Sequence, residues 1–239
     1  MMRVSSPSLL RSGGEYSSFA ELERHETAAI DYRISTAGGC SGVAVMAPHG
    51  GDIEPGTTEV ARAIAFPCHS FYSLEGIKAE GNWALHIAST QFDEPLAVAM
   101  AVRAETVVCV HGCREGAECV VLGGLDMGLK AVLSTRLATS GFAVWSREGL
   151  EGRRTTNLCN RSLSGMGVQI ELSRRLRLRM FEGLSSEGRN HPSEVFGGFV
   201  RVIRGGIEEW LRDRSCGEPA HRRCPRHLTV PSSSRNHPC

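Results

Sequence analysis

Apolar and polar residues along this chain follow two periods, one typical of buried strands and one typical of helices. Short apolar or β-branched runs predict strands at 43–47, 68–74, 83–88, 106–110, 118–122, 142–145 and 168–172. Helical spacing or helix-start residues predict helices at 19–31, 59–65, 96–104, 127–140, 174–181 and 195–211. Strands that alternate with helices indicate an α/β fold. We expect a single domain with a mixed, mostly parallel sheet flanked by helices.

Composition divides the chain into one globular domain and two polar ends. The 239 residues are 41% hydrophobic and 22% charged, which is ordinary for a globular protein. We expect the domain to span 15–212, after a Ser/Gly-rich segment at 1–14 that is predicted to be disordered. Residues 213–239 contain five Arg, three His, three Cys and four Pro without an apolar period, which predicts a disordered basic tail. No compact metal site fits the spacing of the tail residues Cys216, Cys224, His227 and Cys239.

Charge and hydropathy argue against several classes of partner. A formal net charge of +1 and a pI near 7.6 create no whole-molecule field that favours nucleic acid or an anionic membrane. No run of about 18 or more apolar residues exists, and the amino-terminal segment lacks a signal-peptide core. We therefore expect a cytoplasmic protein, or one released by lysis. The nine cysteines are odd in number and lie mostly in apolar runs, which predicts reduced, buried thiols.

A glycine-rich loop directly after the first buried strand carries two possible metal ligands. The segment 43–58 reads VAVMAPHGGDIEPGTT, and its glycines allow a turn tight enough to bring His49 and Glu54 onto one ion. His111 follows the strand 106–110 in the same way, and α/β folds build their sites at the carboxyl ends of strands. Two histidines and a carboxylate with an open fourth position are typical of a catalytic Zn²⁺. An exposed turn without a metal is the alternative.

A carboxylate in the last predicted strand is a candidate general base. In 168–172, VQIEL, the apolar residues share one face while Gln169 and Glu171 share the other. A sheet covered on both sides would bury Glu171, and an unpaired buried carboxylate is unfavourable unless it finds a partner or its pKa shifts. Beside a metal, Glu171 would take the proton of the attacking water and give it to the leaving amine. The alternative is a surface strand with Glu171 in solvent.

A loop that precedes this strand carries the candidate substrate-binding residues. Arg161, next to Asn160, is the natural clamp for a substrate carboxylate, because a guanidinium binds carboxylate through two parallel hydrogen bonds. Arg153 and Arg154 compete for that role, although a solvated surface pair explains them better.

Other residues with metal-ligand chemistry are better explained by structure. Cys109 and Cys113 flank His111 and are rival ligands, but burial in the strand is the preferred interpretation of Cys109. Asp52 could accept a hydrogen bond that orients a ligand histidine. Satisfied structural polar groups are expected at His69, His86 and Asp126.

The order of several motifs resembles the phage-type poly-γ-glutamate hydrolase family. The segments that carry the resemblance are ELERHETAAIDYRI, APHGGDIEPGT, HIASTQFDEP, VHGC, GGLD, NLCNR and GVQIELSRRLR, which lie between residue 15 and about residue 182. The resemblance implies a zinc-carboxypeptidase-like α/β fold and an amidase that cuts γ-glutamyl bonds in poly-γ-glutamate. By motif matching it assigns the zinc ligands to His49, Glu54 and His111, catalysis to Glu171 and carboxylate binding to Arg161. The Arg/Cys/Pro-rich tail has no counterpart in the family.

Two rivals to this function remain open. An amidohydrolase of small N-acylated amino acids, of the acyl-glutamate type, would use the same scaffold and the same Zn²⁺. A non-enzymatic protein whose tail binds nucleic acid is the rival from another class, although the basic residues lack interleaved aromatics. We expect an anionic γ-glutamyl polymer or an acyl-glutamate as the substrate, and neither nucleic acid nor membrane as a partner. The oligomeric state is left open, with a monomer as the simplest expectation.

Overall fold

Seven strands form one mixed sheet in the computed structural model, which describes residues 14–215. The strands are Tyr32–Ala37 (β1), Val43–Gly51 (β2), Ser70–Gly76 (β3), Thr106–Cys113 (β4), Val120–Gly123 (β5), Val144–Trp145 (β6) and Val168–Ser173 (β7). The helices are Phe19–His25 (α1), Thr57–Ala65 (α2), Pro95–Ala101 (α3), Met127–Thr139 (α4), Arg174–Met180 (α5) and Glu194–Ser215 (α6). The strand order is β1-β3-β2-β4-β7-β5-β6.

Parallel pairing dominates this sheet. Strands β3, β2, β4 and β7 run parallel to one another, β6 is parallel to β5, and only the β1–β3 and β5–β7 pairs are antiparallel. Every residue of β2 and β7 is buried, as expected for parallel strands covered on both faces. The predicted α/β fold with a mixed, mostly parallel sheet is confirmed.

Alternate side chains along the central strands pack into two separate hydrophobic cores, one on each face of the sheet. Val43 and Val45 of β2 pack with α2, α4, α5 and α6 on one face of the sheet. Ala44 and Met46 point to the other face, where they pack with α1 and α3. The period of two residues in a strand therefore joins both helical layers to the same backbone.

The sheet brings the three candidate strand ends to one edge. Strand β4 pairs with both β2 and β7, and His111 lies opposite Glu171 in the β4–β7 register. Strand β2 has a register irregularity between Ala47 and Gly50, and His49 lies within it. Such bulges re-aim a side chain without ending the strand, which turns His49 towards its neighbours.

The longest helix, α6, packs closely on α4 through glycine. Its buried residues Phe199, Ile203, Ile207 and Trp210 repeat at helical spacing. The glycines at 205 and 206 have low helix propensity, but a Cβ on Gly206 would lie 2.6 Å from Leu133 Cδ2. Glycine at 206 is therefore a packing requirement that outweighs its low helix propensity.

Several predicted boundaries differ from the structure. The strand predicted at 83–88 is wrong, because Asn82–Leu85 forms a short 3₁₀ helix. The Asn82 side chain closes a turn with the backbone of Lys78 directly before this helix, and the N–H groups of Ala84 and His86 then donate to the carbonyls of Gly81 and Trp83 instead of to a neighbouring strand. The first helix ends at His25 instead of 31, and α6 continues to Ser215, into the predicted tail. The predictions for 1–13 and 216–239 lie outside the described residues.

Cysteines and hydropathy follow the sequence predictions in most of the described chain. Free thiols are present at Cys68, Cys109, Cys113, Cys119 and Cys159, and all but Cys68 are buried. Cys40 departs from the prediction of reduced thiols, since it is disulfide-bonded. None of the helices within 14–215 is both long and apolar enough to cross a membrane.

Alanine substitutions at two glycines of α6 should have opposite effects on the stability of the protein. Replacing Gly198 with Ala should stabilise the protein by about 0.5–1 kcal/mol, because the new Cβ would come no closer than 4.0 Å to Arg201 Nη2. Gly206→Ala should instead destabilise, because the fully buried Leu133 must move. Urea unfolding of both variants measures the difference, and equal shifts of the two midpoints would contradict the packing argument.

Candidate active site

The loop that follows β2 is closed by its own backbone. The Glu54 N–H donates to the His49 carbonyl at 2.9 Å, and the Thr57 hydroxyl donates to the Glu54 carbonyl at 2.9 Å. A Cβ on Gly50 would lie 2.1 Å from Ser73 Oγ, and Gly51 has a positive φ of 59°. These glycines let the loop press against β3 and the start of α2, which fixes where His49 and Glu54 point.

Three side chains at this edge form a group with metal-binding geometry. His49 Nδ1 lies 3.2 Å from Glu54 Oε1, and His111 Nδ1 lies 3.6 Å from Glu54 Oε2. The two histidine Nδ1 atoms are 3.1 Å apart, and the ligand atoms of all three residues lie within 4.8 Å of one another. All three residues are buried. Within 14–215 this is the one group of His, Cys, Asp or Glu with such spacing.

The outer nitrogens of both histidines meet oxygens of the loop that follows the 3₁₀ helix. His49 Nε2 lies 2.7 Å from the Ile87 carbonyl, and His111 Nε2 lies 3.4 Å from Ser89 Oγ. A carbonyl only accepts hydrogen bonds, so His49 carries a hydrogen on Nε2 and turns Nδ1 towards Glu54. An imidazole whose outer nitrogen is held by an oxygen, with its other nitrogen turned towards further ligand atoms, is the usual arrangement of a metal-ligating histidine.

The charges of this group favour a cation. Burial would raise the pKa of Glu54, but His49 and His111 outweigh burial and hold that pKa well below its ordinary value. The Gly112 N–H also donates to Glu54 Oε2 at 2.8 Å, which further favours the ionised carboxylate. An ionised carboxylate beside two imidazole nitrogens is a donor set that suits Zn²⁺.

Glu171 lies buried next to this group and is held by a chain of amides. Burial raises its pKa to about 7, although the positive charges of His111 and Arg177 oppose that rise. Gln169 Nε2 donates to Glu171 Oε1 at 2.9 Å, and Asn157 Nδ2 donates to Gln169 Oε1 at 2.9 Å. A pKa near neutrality suits a group that must both accept and release a proton.

Arg177, a buried arginine not predicted as a site residue, bonds to three of the segments that form the site. Arg177 donates to the carbonyls of Pro55 at 2.7 Å, Leu172 at 3.2 Å and Cys113 at 3.3 Å. Pro55 follows Glu54, Leu172 follows Glu171, and Cys113 ends the strand that carries His111. The signal in the sequence was an arginine on the buried face of α5, next to Leu176.

The predicted substrate-binding pair is occupied with backbone groups. Both Asn160 amide hydrogens donate to the carbonyls of Gly152 and Arg154, and its oxygen accepts from two backbone N–H groups. Arg161 donates through Nε, Nη1 and Nη2 to the carbonyls of Thr156, Phe92 and Thr90. Asn160 therefore holds the loop and has no hydrogen left for a substrate, whereas Arg161 retains two N–H groups.

His86 lies in the site, where sequence reasoning expected a satisfied structural group. Its ring stacks on His49 with centroids 3.8 Å apart, and its Nε2 lies 3.7 Å from Glu54 Oε1. Burial, helped by the charge of His49, lowers the pKa of His86 to about 3, so its ring is neutral. Its Nδ1 is buried and has no hydrogen-bond partner within 14–215.

Other candidates lie in structural positions. Asp52 Oδ1 accepts from Arg189 at 2.7 Å and does not orient a ligand histidine. Asp126 caps α4, and His69 Nδ1 lies 2.6 Å from Ser41 Oγ, so both are satisfied as expected. Cys109 is fully buried in β4, in agreement with its preferred interpretation.

Comparisons with known proteins identify relatives of the whole domain. A family model described as poly-gamma-glutamate hydrolase matches residues 16–202. The SPbeta prophage-derived protein YoqZ of Bacillus subtilis (strain 168) is 33% identical over 207 residues, which cover 85% of this chain and 75% of YoqZ. YndL of the same organism is 39% identical over 192 residues, which cover 79% of this chain and 75% of YndL.

Two solved structures share the fold along nearly their full length. The structure of a bacteriophage poly-gamma-glutamate hydrolase matches with a TM-score of 0.80 and 29% identity, over 82% of this chain and 98% of that one. A zinc-free apo structure of YndL matches with a TM-score of 0.78 and 36% identity, over 82% and 98% of the two chains.

Loss of the three carbonyl contacts of Arg177 should destabilise the protein. Arg177→Met should lower the free energy of unfolding by roughly 2–4 kcal/mol, because buried carbonyls lose their donor. Arg175→Met is the matched control, since Arg175 is an exposed arginine on the same helix. Urea unfolding should leave that control within about 0.5 kcal/mol of the parent protein. Equal stability of the two variants would show that the buried guanidinium does not hold the strand ends.

Proposed function

We propose a reaction for this chain from the premise that it belongs to the poly-γ-glutamate hydrolase family. The match of the family model to residues 16–202 confirms the family resemblance seen in the sequence, and the family is one of hydrolases. We propose that the chain hydrolyses γ-glutamyl amide bonds of this anionic polymer. In this proposal His49, Glu54 and His111 hold a Zn²⁺ ion, and Glu171 carries the proton.

One observation carries the proposal, namely the distance of 3.1 Å between His49 Nδ1 and His111 Nδ1 above an ionised carboxylate. Two imidazole nitrogens with their lone pairs towards each other repel unless a proton or a cation lies with them. A zinc ion in that position would supply a Lewis acid that polarises the amide carbonyl and acidifies the attacking water. The YndL structure is a zinc-free apo form, which supports zinc as the metal proposed here.

The proton steps fall to Glu171 in this proposal. Its carboxylate accepts the proton of the attacking water and then passes it to the nitrogen of the leaving amine. The hydrogen bond from Gln169 engages Oε1, which leaves Oε2 for this transfer. Because the Asn157 amide holds Gln169 in turn, the carboxyl group is oriented before substrate arrives.

Arg161 is the proposed ligand of a substrate carboxylate, and the adjacent Asn160 holds the loop that carries it through bonds to backbone groups. The half-buried guanidinium of Arg161 keeps two N–H groups beyond its three carbonyl bonds, enough for one carboxylate. Those carbonyl bonds would also orient the guanidinium, which reduces the entropy lost on binding.

The metal assignment predicts a loss of zinc. After loading with zinc, His111→Ala should lose stoichiometric metal, because a site of three protein ligands tolerates the removal of one poorly. His191→Ala, at an exposed histidine, should retain it. Metal content by mass spectrometry and the zinc-dependent rise in melting temperature provide two readouts apart from activity. A parent protein that holds no zinc would defeat the metal assignment.

The assignment of Glu171 predicts a folded, metal-loaded and inactive variant. Glu171→Gln keeps the shape of the side chain and the contact with Gln169, so zinc content and stability should match those of the parent. Its kcat on a γ-linked glutamate polymer should fall by about 10²–10⁴-fold, because an amide cannot accept the proton. Glu182→Gln, at an exposed site, is the control. A near-normal kcat for Glu171→Gln would remove this residue from the mechanism.

A further inference from the structure

A continuous stack of flat groups leads from the surface to the candidate ligand His49. The His49 and His86 rings stack with centroids 3.8 Å apart, and the His86 and Trp83 rings stack with centroids 4.5 Å apart. The guanidinium carbon of Arg114 lies 4.8 Å from the centre of the Trp83 ring. Arg114 and Trp83 are exposed, whereas His49 is buried, so the stack runs from solvent to the metal-binding group.

The outer end of this stack is a positive charge that no carboxylate of the described segment neutralises. Among residues 14–215, no carboxylate oxygen lies within ion-pair distance of Arg114. The adjacent acid, Glu115, pairs instead with Arg147 at 2.9 Å. The cation–π contact with Trp83 is therefore the interaction that holds the Arg114 guanidinium in place.

The inner part of the stack offers a polar atom that the protein itself leaves unused. His86 Nδ1 is buried without a partner among the described residues, although such atoms are normally satisfied. A buried polar atom beside a reaction centre is satisfied when a substrate group or an ordered water binds there. The stack therefore combines two apolar ring faces, one unused imidazole nitrogen and one unpaired guanidinium.

This combination matches the chemistry of a γ-linked glutamate chain. Each unit of such a chain carries a free α-carboxylate beside an amide and a short aliphatic spacer. A guanidinium binds the carboxylate through parallel hydrogen bonds, and ring faces pack against the spacer. A substrate that lies along the stack would reach the metal-binding group with its amide and the Arg114 guanidinium with a carboxylate.

We propose that Arg114, held over Trp83, binds an α-carboxylate of a γ-glutamyl unit adjacent to the scissile amide, and that Trp83 and His86 form the wall of this subsite. The proposal rests on the proposed function and names a second carboxylate site in addition to Arg161. It assigns recognition of the polymer to the segment between β4 and β5 and to the 3₁₀ helix.

Kinetics of Arg114→Ala on a γ-linked glutamate polymer test the proposal. The KM should rise roughly tenfold, the loss expected for one charge-assisted contact, while zinc content and kcat stay within about twofold of the parent. Trp83→Ala should act in the same direction, and Trp83→Phe should preserve most of the binding because a ring still supports the guanidinium. Arg103→Ala is the matched control, since this exposed arginine precedes the opposite end of β4.

A binding measurement separates this subsite from the proposed reaction. Titration calorimetry of a short γ-linked glutamate oligomer uses the zinc-loaded, full-length Glu171→Gln protein with and without Arg114→Ala. A roughly tenfold weaker affinity in the double variant supports the subsite even if the parent enzyme cleaves a different amide. Equal affinities, or an unchanged KM for Arg114→Ala, overturn the subsite, whereas Arg114-dependent binding without cleavage overturns only the proposed reaction.

Discussion

The buried carboxylate of Glu54 is the constraint on which the rest of this structure depends. An ionised carboxylate out of water is unfavourable by several kcal/mol unless positive charge and hydrogen-bond donors surround it. Here the Gly112 N–H and the rings of His49 and His111 surround it. Those groups come from two strands and Glu54 from the loop after β2, so the charge of one side chain sets the geometry of a whole edge of the sheet.

Arginine side chains hold these segments next to one another by donating hydrogen bonds to backbone carbonyls. The Arg177 guanidinium joins the residues that follow Glu54 and Glu171 to the end of β4. Arg161 performs a similar task for the loop whose Ile87 carbonyl holds His49. Arginines thus bind main chain at two places beside the site, which orders loops that have no regular secondary structure. The carboxylate-binding role proposed for Arg161 would use only the donors that these backbone bonds leave free.

In the proposed function and subsite, the polar groups are divided between chemistry and recognition. Glu171 and the three candidate metal ligands are buried at the carboxyl ends of the strands, where burial shifts pKa values and excludes water. The stack from His86 to Arg114 extends outward to solvent, where a long anionic polymer can reach it. A near-neutral protein can therefore attract a polyanion, because the required positive charge is local and is not a property of the whole molecule.

Much of this architecture could be predicted from the sequence alone, because it depends on local periodicity. Apolar runs such as 106–110 and the alternation around Glu171 determined the α/β class, and the glycines at the end of β2 marked the turn between His49 and Glu54. The rule that strand ends meet at one edge suggested that His111 lies near them, and in the structure these groups lie within 4.8 Å. The predicted strand at 83–88 is wrong because the N–H groups of Ala84 and His86 bond within a 3₁₀ helix instead of to a neighbouring strand, which an apolar pattern does not reveal.

Only the tertiary structure decided what the remaining polar residues contact. Asn160 looked like a substrate ligand in a loop, but its amide is used by backbone groups. Arg177 looked like one more arginine in a basic helix, and His86 looked like a structural histidine. Their contacts join residues up to 122 positions apart, as from Arg177 to the Pro55 carbonyl. A sequence pattern reports neighbours within one helix or strand, whereas such contacts depend on how separate elements pack, so the packed sheet edge was needed to reveal them.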